Sequence, residues 1–277
     1  MIRNIVKIVL AISLVMPLLL SSFLPSFSAP LLQGERMHPV ESKNGMVVTS
    51  HYLATNSALE VLKKGGNAVD AAVTAGFLLA VAQPRSGNIG GGGFMLISSE
   101  KTGEVIAIDY REKAPARAHK DMFLRPDGTA NPVLSRFSHL AAGVPGTVAG
   151  LELALKKYGS QSLQQVLAPA IALAENGFTV SSWFAEGVKK AEQRLKKHPA
   201  SRDLFFKADG AYYEPGDLFV QKELAATLRR ISDNGIDDFY QGETAQMIAA
   251  EMEKHGGLIE LEDLRKYQPV VRKPIHG

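Results

Sequence analysis

From Gly45 onward the chain alternates between short apolar runs and stretches whose apolar residues recur every three or four positions. Gly45-Met-Val-Val-Thr49 is a short apolar run that predicts a strand. Leu53, Ser57, Ala58, Val61 and Leu62 then fall at helical spacing, and Gly65-Gly66 supplies the glycine cap that ends such a helix. Ala68 to about Ala82 is rich in Ala and Val with a single acid, Asp70, so a second helix buried on most of its sides is expected, terminated by Pro84. Phe94-Met-Leu-Ile97 reads as a buried strand. Gly103 marks a turn, and Val105 to Tyr110 alternates like a second strand paired with the first, ended by Arg111 to Pro115. After a polar stretch to about His139, helices are predicted near 147–158, 162–175, 181–196, 221–234, 243–254 and 260–267. A short paired β segment is expected near Phe205 to Tyr213. The pattern is that of one α/β unit with a helical second half, without internal repeats, low-complexity tracts or a long linker.

The first residues change this picture. Arg3 and Lys7 precede an apolar run from Ile8 to Leu20, and Ser26-Phe27-Ser28 stands before Ala29, so residues 1–28 are expected to be a cleavable signal peptide of an exported, periplasmic or secreted protein. A membrane anchor would need about 20 apolar residues, and Pro17 interrupts this run. Residues 29–277 then form the folded part.

Composition removes several function classes. Without Arg3 and Lys7, the 31 Lys and Arg residues fall to 29 against 28 Asp and Glu, so the body of the protein is near neutral and no nucleic-acid surface is expected. Cysteine is absent, which rules out thiolate nucleophiles and Cys metal ligands. The 7 histidines are scattered and form no H-E-x-x-H, so no zinc site is expected.

Three features could carry chemistry. Gly90 to Gly93 resembles a phosphate loop in composition, but such loops follow a strand and open a helix, and here a helix precedes and a strand follows. Close backbone approach or positive φ beside a packed sheet accounts better for these glycines. Arg111 closes a strand beside Glu112. A guanidinium there can clamp a carboxylate with two parallel bonds, or it can simply be a solvated surface side chain. Thr49-Ser50-His51 juxtaposes hydroxyls and a base, but neighbours on an extended chain point to opposite faces, and a strand end running into a helix cap explains the segment.

At Gly65-Gly-Asn-Ala-Val-Asp-Ala-Ala72, Gly87-Asn-Ile-Gly-Gly-Gly-Gly-Phe94, Asp109-Tyr-Arg-Glu-Lys-Ala-Pro115 and Gly143-Val-Pro-Gly-Thr147 the sequence closely resembles the gamma-glutamyltransferase (glutathione hydrolase) family. Asp121-Met-Phe123, Gly235 to Tyr240, and Gly256-Gly-Leu-Ile259 with Leu264 fit as well, so the resemblance runs from about residue 36 to the end. It implies an N-terminal nucleophile hydrolase (αββα) fold, two stacked sheets between helical layers, built from a proenzyme that cuts itself into large and small subunits. The new N-terminal Thr would attack the gamma-glutamyl carbonyl, with its own amine as base, and the acyl group would pass to water, an amino acid or a peptide. No metal or organic cofactor is implied.

By this resemblance Arg111 holds the α-carboxylate of gamma-glutamyl substrates such as glutathione, and Glu112 supports it. The nucleophilic Thr, the oxyanion-hole glycines and the rest of the small-subunit portion are expected downstream of Gly277. This chain is therefore expected to represent the amino-terminal part of the large subunit, incomplete as an αββα fold and inactive alone. An acylase on the same scaffold, or a non-catalytic exported relic or binding partner, are the alternatives.

Overall fold

The computed structural model describes residues 41–275; the expected signal peptide lies outside them. From Asn44 the described residues form one unit. Helix α1 (Tyr52–Lys63) starts where His51, in extended backbone conformation, accepts the Leu53 N–H on Nδ1 at 3.3 Å. It stops at Lys64, followed by Gly65 at φ +87°, a conformation open mainly to glycine. Helix α2 (Ala68–Ala82) opens with a capping box. Asn67 Oδ1 accepts the Val69 and Asp70 N–H groups, and the Asp70 carboxylate accepts the Asn67 N–H in return. Phe77, Leu78, Val73 and Val81 on α2 are fully buried, which makes this helix the centre of the core.

Strands β1 (Phe94–Ser98) and β2 (Val105–Asp109) pair antiparallel around the Gly103 turn, in a register that sets Phe94 opposite Asp109 and Leu96 opposite Ala107. The rest of the described chain is mostly helical: α3 (Leu134–Phe137), a 3-10 turn at His139–Ala141, α4 (Thr147–Tyr158), α5 (Leu163–Asn176), α6 (Ser182–Leu195), α7 (Pro199–Phe205), α8 (Lys222–Asn234), α9 (Asp237–Tyr240), α10 (Glu243–Lys254) and α11 (Leu261–Arg265). Short strands β3 (Phe178–Thr179) and β4 (Leu218–Phe219) make a two-stranded ribbon over a satellite cluster of Phe178, Phe184, Phe206 and Phe219. Finally β5 (Val270–Arg272) adds to the far side of β2, giving the order β1-β2-β5. Helices α1, α4 and α5 pack on α2, and α8 packs on α5, so a helical layer covers one face of the sheet.

Strand side chains alternate, and here the alternation decides which face is covered. Met95, Ile97 and Ile106 pack toward the core around the fully buried Ile108. Phe94 and Leu96 stand on the other face, 65% and 71% exposed. The expectation of a buried strand at Phe94–Ile97 is thus corrected: only one side of it is covered among the described residues. Residues 45–49 form no strand either. They alternate between exposed and half-buried, with Val48 82% exposed, but no neighbouring backbone among the described residues supplies a ladder. Helix α11 ends at Arg265, two residues before the expected limit, which frees Tyr267 from helical geometry. The β segment near Phe205–Tyr213 is a single bridge, Phe206 to Tyr212, behind the unanticipated α7.

Candidate substrate-binding site

The loop that follows β2 is held by backbone approach on several sides. Gly93 and Tyr110 exchange both backbone bonds, at 3.2 and 2.9 Å, continuing the ladder one residue past the strands. Gly92 lies directly on the next peptides: a Cβ there would sit 2.5 Å from the Tyr110 carbonyl oxygen and 2.7 Å from Glu112 N. None of Gly90 to Gly93 has positive φ, so of the two sequence-level reasons for these glycines, close approach is the operative one. The Gly91 carbonyl accepts the N–H groups of Gly146 (2.7 Å) and Thr147 (3.0 Å), at the start of α4. Those amides are the donors a phosphate at this helix end would require, and they are already engaged. On the opposite flank, Lys113 and Val144 exchange bonds at 3.2 and 2.8 Å, and Gly143 leaves room for the Glu112 side chain.

Within this cradle both peptide groups of Arg111 are tied. Its N–H donates to Asp109 Oδ1 at 3.1 Å, and its carbonyl accepts the Tyr267 hydroxyl at 2.9 Å. Asp109 is clasped again by Arg272 of β5, at 2.7 Å. The Arg111 backbone bond, then the Arg272 bond and charge, hold the Asp109 carboxyl below the usual carboxylate range. The Arg111 side chain itself is 64% exposed, and its Nε lies 3.4 Å from Glu112 Oε2. That Glu112 oxygen is buried and accepts no hydrogen bond, so the guanidinium is its nearest compensation. The outcome is a fixed main chain, an exposed cation, and one acid beside its guanidinium.

The other sequence candidates do not converge. Thr49 Oγ1 donates to the His51 carbonyl at 2.8 Å and sits 2.8 Å from Thr55 Oγ1, while Ser50 donates to Gln83 at 2.6 Å. His51 Nδ1 is spent on capping α1, and burial lowers its pKa. These are helix-start contacts, not a nucleophile and base. The histidines prove less scattered than their spacing suggests: His139 stacks on His255 at 4.7 Å and meets His198 edge-on at 5.8 Å. Among the described residues, however, no group of three or more His, Asp or Glu side chains is placed to hold a metal ion. Nor is any described helix long and apolar enough to cross a membrane. Sequence reasoning missed Tyr267 as a neighbour of Arg111. Asp109 stood in the Asp-Tyr-Arg-Glu motif without an assigned task.

An antiparallel sheet roofed on one face by helices, with Phe94 and Leu96 exposed on the other, is a partial α/β fold of the N-terminal nucleophile hydrolase type. Its likeness to solved structures agrees. Gamma-glutamyltranspeptidase from Helicobacter pylori superposes with a TM-score of 0.83 at 50% identity, over 86% of this chain and 68% of that one. The Pseudomonas nitroreducens gamma-glutamyltranspeptidase complexed with L-DON gives 0.79 at 43% identity, over 84% and 68%. Residues 54–277 match the family model described as Gamma-glutamyltranspeptidase, and the chain belongs to that family. It is 50% identical over 241 residues to the glutathione hydrolase proenzyme of Escherichia coli (strain K12), covering 87% of this chain and 41% of that protein. The chain therefore spans well under half the length of that relative.

Proposed function

We propose that this chain is the amino-terminal part of an exported gamma-glutamyltransferase or glutathione hydrolase, in which Arg111 clamps the α-carboxylate of a gamma-glutamyl substrate and Glu112 steadies the guanidinium. The observation that carries the reading is Arg111 itself: its two flanking peptides are fixed, yet its side chain is 64% exposed beside a single acid. A guanidinium so held keeps N–H groups free for a planar partner. The Thr nucleophile and the oxyanion donors belong to the remaining, small-subunit portion of the proenzyme. The open face, with Phe94 and Leu96 exposed on it, is suited to receive that portion. The basic, then apolar, then small-residue start over residues 1–28 supports export as a cleaved signal.

The test joins this chain to the C-terminal part of a homologous proenzyme and compares Arg111 with Lys. Lysine keeps the charge but loses the paired geometry. Hydrogen bonds to charged groups are worth about 1.5–3 kcal/mol each, so a net loss of roughly 2–3 kcal/mol is expected. At about 1.4 kcal/mol per decade this lowers kcat/KM on the order of 30- to 150-fold, mostly through KM, because the carboxylate is remote from the scissile bond. A substrate lacking the α-carboxylate should be nearly indifferent. Equal losses on both substrates would show that Arg111 is structural and would remove the reading.

A further inference from the structure

Tyr267 is separated from Arg111 by 156 positions, yet its hydroxyl is the group that fixes the Arg111 carbonyl, at 2.9 Å. It follows α11, where the chain has just left helical geometry, and it is 7% exposed. One face of its ring stacks on Tyr240, with centroids 5.7 Å apart and planes within 11°. Lys113 Nζ also lies over the ring, 5.1 Å from its centroid, and donates to the Gln268 carbonyl at 2.8 Å. The backbone gives way to it as well: a side chain on Gly146 would collide with the Tyr267 hydroxyl and with the Tyr110 carbonyl. The phenol is pushed up to about 12, first by burial and then by Asp109 and Glu112, so it stays protonated and remains a donor at any working pH.

We infer that Tyr267 is a positioning residue for substrate binding, holding the Arg111–Glu112 peptide plane so that the exposed guanidinium meets the α-carboxylate in register. The inference rests on the reading of Arg111 given above. With the Arg111 N–H held by Asp109 and its carbonyl by Tyr267, the base of a long side chain is fixed at both ends. Binding geometries tolerate tilts of only about 10–20° before contacts loosen, and a long side chain magnifies any tilt at its root. Tyr240 serves a different span. Its hydroxyl donates to the Pro145 carbonyl at 3.0 Å and accepts the Ala149 N–H at 3.2 Å, without touching Arg111.

The test compares Tyr267→Phe, Tyr240→Phe and Arg111→Lys in the enzyme completed with a homologous C-terminal part, using one gamma-glutamyl anilide and its analogue lacking the α-carboxylate. Tyr267→Phe keeps the stacked ring and removes only the hydroxyl. KM for the carboxylate substrate should rise about three- to tenfold, the weight of one neutral hydrogen bond, with kcat within about twofold and the analogue unaffected. Tyr240→Phe should lower Tm while leaving the ratio between the two substrates unchanged. If Arg111→Lys discriminates between the substrates and Tyr267→Phe does not, the clamp stands and the positioning role of Tyr267 is overturned. A Tyr267→Phe enzyme that loses kcat equally on both substrates, or that fails to mature, makes the residue structural and overturns it too. If Arg111→Lys itself fails to discriminate, there is nothing to position and both readings fall together.

Discussion

Replacing Asp70 by Asn changes one atom in the most heavily bonded side chain of the core, and the structure sets the size of the effect. Asp70 is 0% exposed. Its Oδ2 accepts the Asn67 N–H at 2.8 Å and the Ser160 hydroxyl at 2.6 Å, while Oδ1 accepts the N–H groups of Ser160 (2.8 Å) and Gln161 (3.0 Å). It thereby joins the start of α2 to the turn after α4. An Asn amide in the place of Oδ2 confronts the Asn67 N–H; in the place of Oδ1 it confronts two backbone donors. One or two part-buried N–H groups are left unpaired, at up to about 1–3 kcal/mol each, and the surviving bonds lose their charge assistance. Relief from burying a charge offsets part of this, so a net destabilisation of roughly 2–4 kcal/mol at neutral pH is expected. At about 2–4 °C per kcal/mol, the assembled enzyme should melt roughly 5–15 °C lower, read by circular dichroism.

The pH dependence supplies the sharper check on Asp70. Burial alone would raise the carboxyl, but the Ser160 hydroxyl and the three backbone donors together bring it below 3.8. A carboxylate with a depressed folded pKa contributes stability that is complete above its unfolded value, about 3.9, and is lost as pH falls through the folded value. The gap between wild type and Asp70→Asn should therefore be full at pH 7 and narrow below about pH 4. A gap under about 0.5 kcal/mol at pH 7, or one that does not narrow in acid, refutes the hydrogen-bond argument.

Gly92→Ala should cost about 1–3 kcal/mol and raise KM for carboxylate substrates, because its Cβ would meet only backbone, 2.5 Å from Tyr110 O. Gly90→Ala, whose Cβ would find nothing nearer than Asn88 Oδ1 at 3.8 Å, should stay within about 0.5 kcal/mol of wild type; thermal melts and kinetics of the pair decide it. Leu96→Glu, on the open sheet face at 71% exposure, should leave the fold of this part intact but block its joining to the C-terminal part, seen as lost co-purification. Residues 29–277 purified alone should release nothing from a gamma-glutamyl anilide if, as proposed, the nucleophile and the oxyanion donors belong to the small-subunit portion. Turnover that disappears with Arg111→Ala would contradict that expectation.

What the chain discloses in its sequence is what local spacing controls. Helix α2 was legible as Ala68 to about Ala82 from its composition and from Pro84, which forbids its continuation; the structure adds the Asn67–Asp70 capping box that fixes its start. The β1–β2 hairpin was legible from alternation and Gly103. The exposed face of Phe94 and Leu96 was not, because an apolar run reads the same whether its cover lies within the described residues or elsewhere. Strands β3 and β4 are two residues each and owe their existence to one another. Strand β5, in Pro269-Val-Val-Arg-Lys-Pro274, is three residues and owes its existence to the edge of β2. At the site, Arg111 and Glu112 were named through the family motif. Tyr267 carries no local signal at all, since its meaning is a contact across the whole length of the unit.

The wide sequence separation of that contact has a kinetic consequence. The ground on which Arg111 stands is contributed by residues 91–93, 109–113, 143–147 and 267, and all but the hairpin contact require the closing of longer loops. Loop closure of this kind is slow compared with helix growth, so α1, α2 and their contacts can form while the anchoring segments are still arriving. A polypeptide threaded outward from its amino end would deliver Arg111 well before Tyr267. The fixed main chain around Arg111 would thus be completed late, after most of the helical layer is already in place.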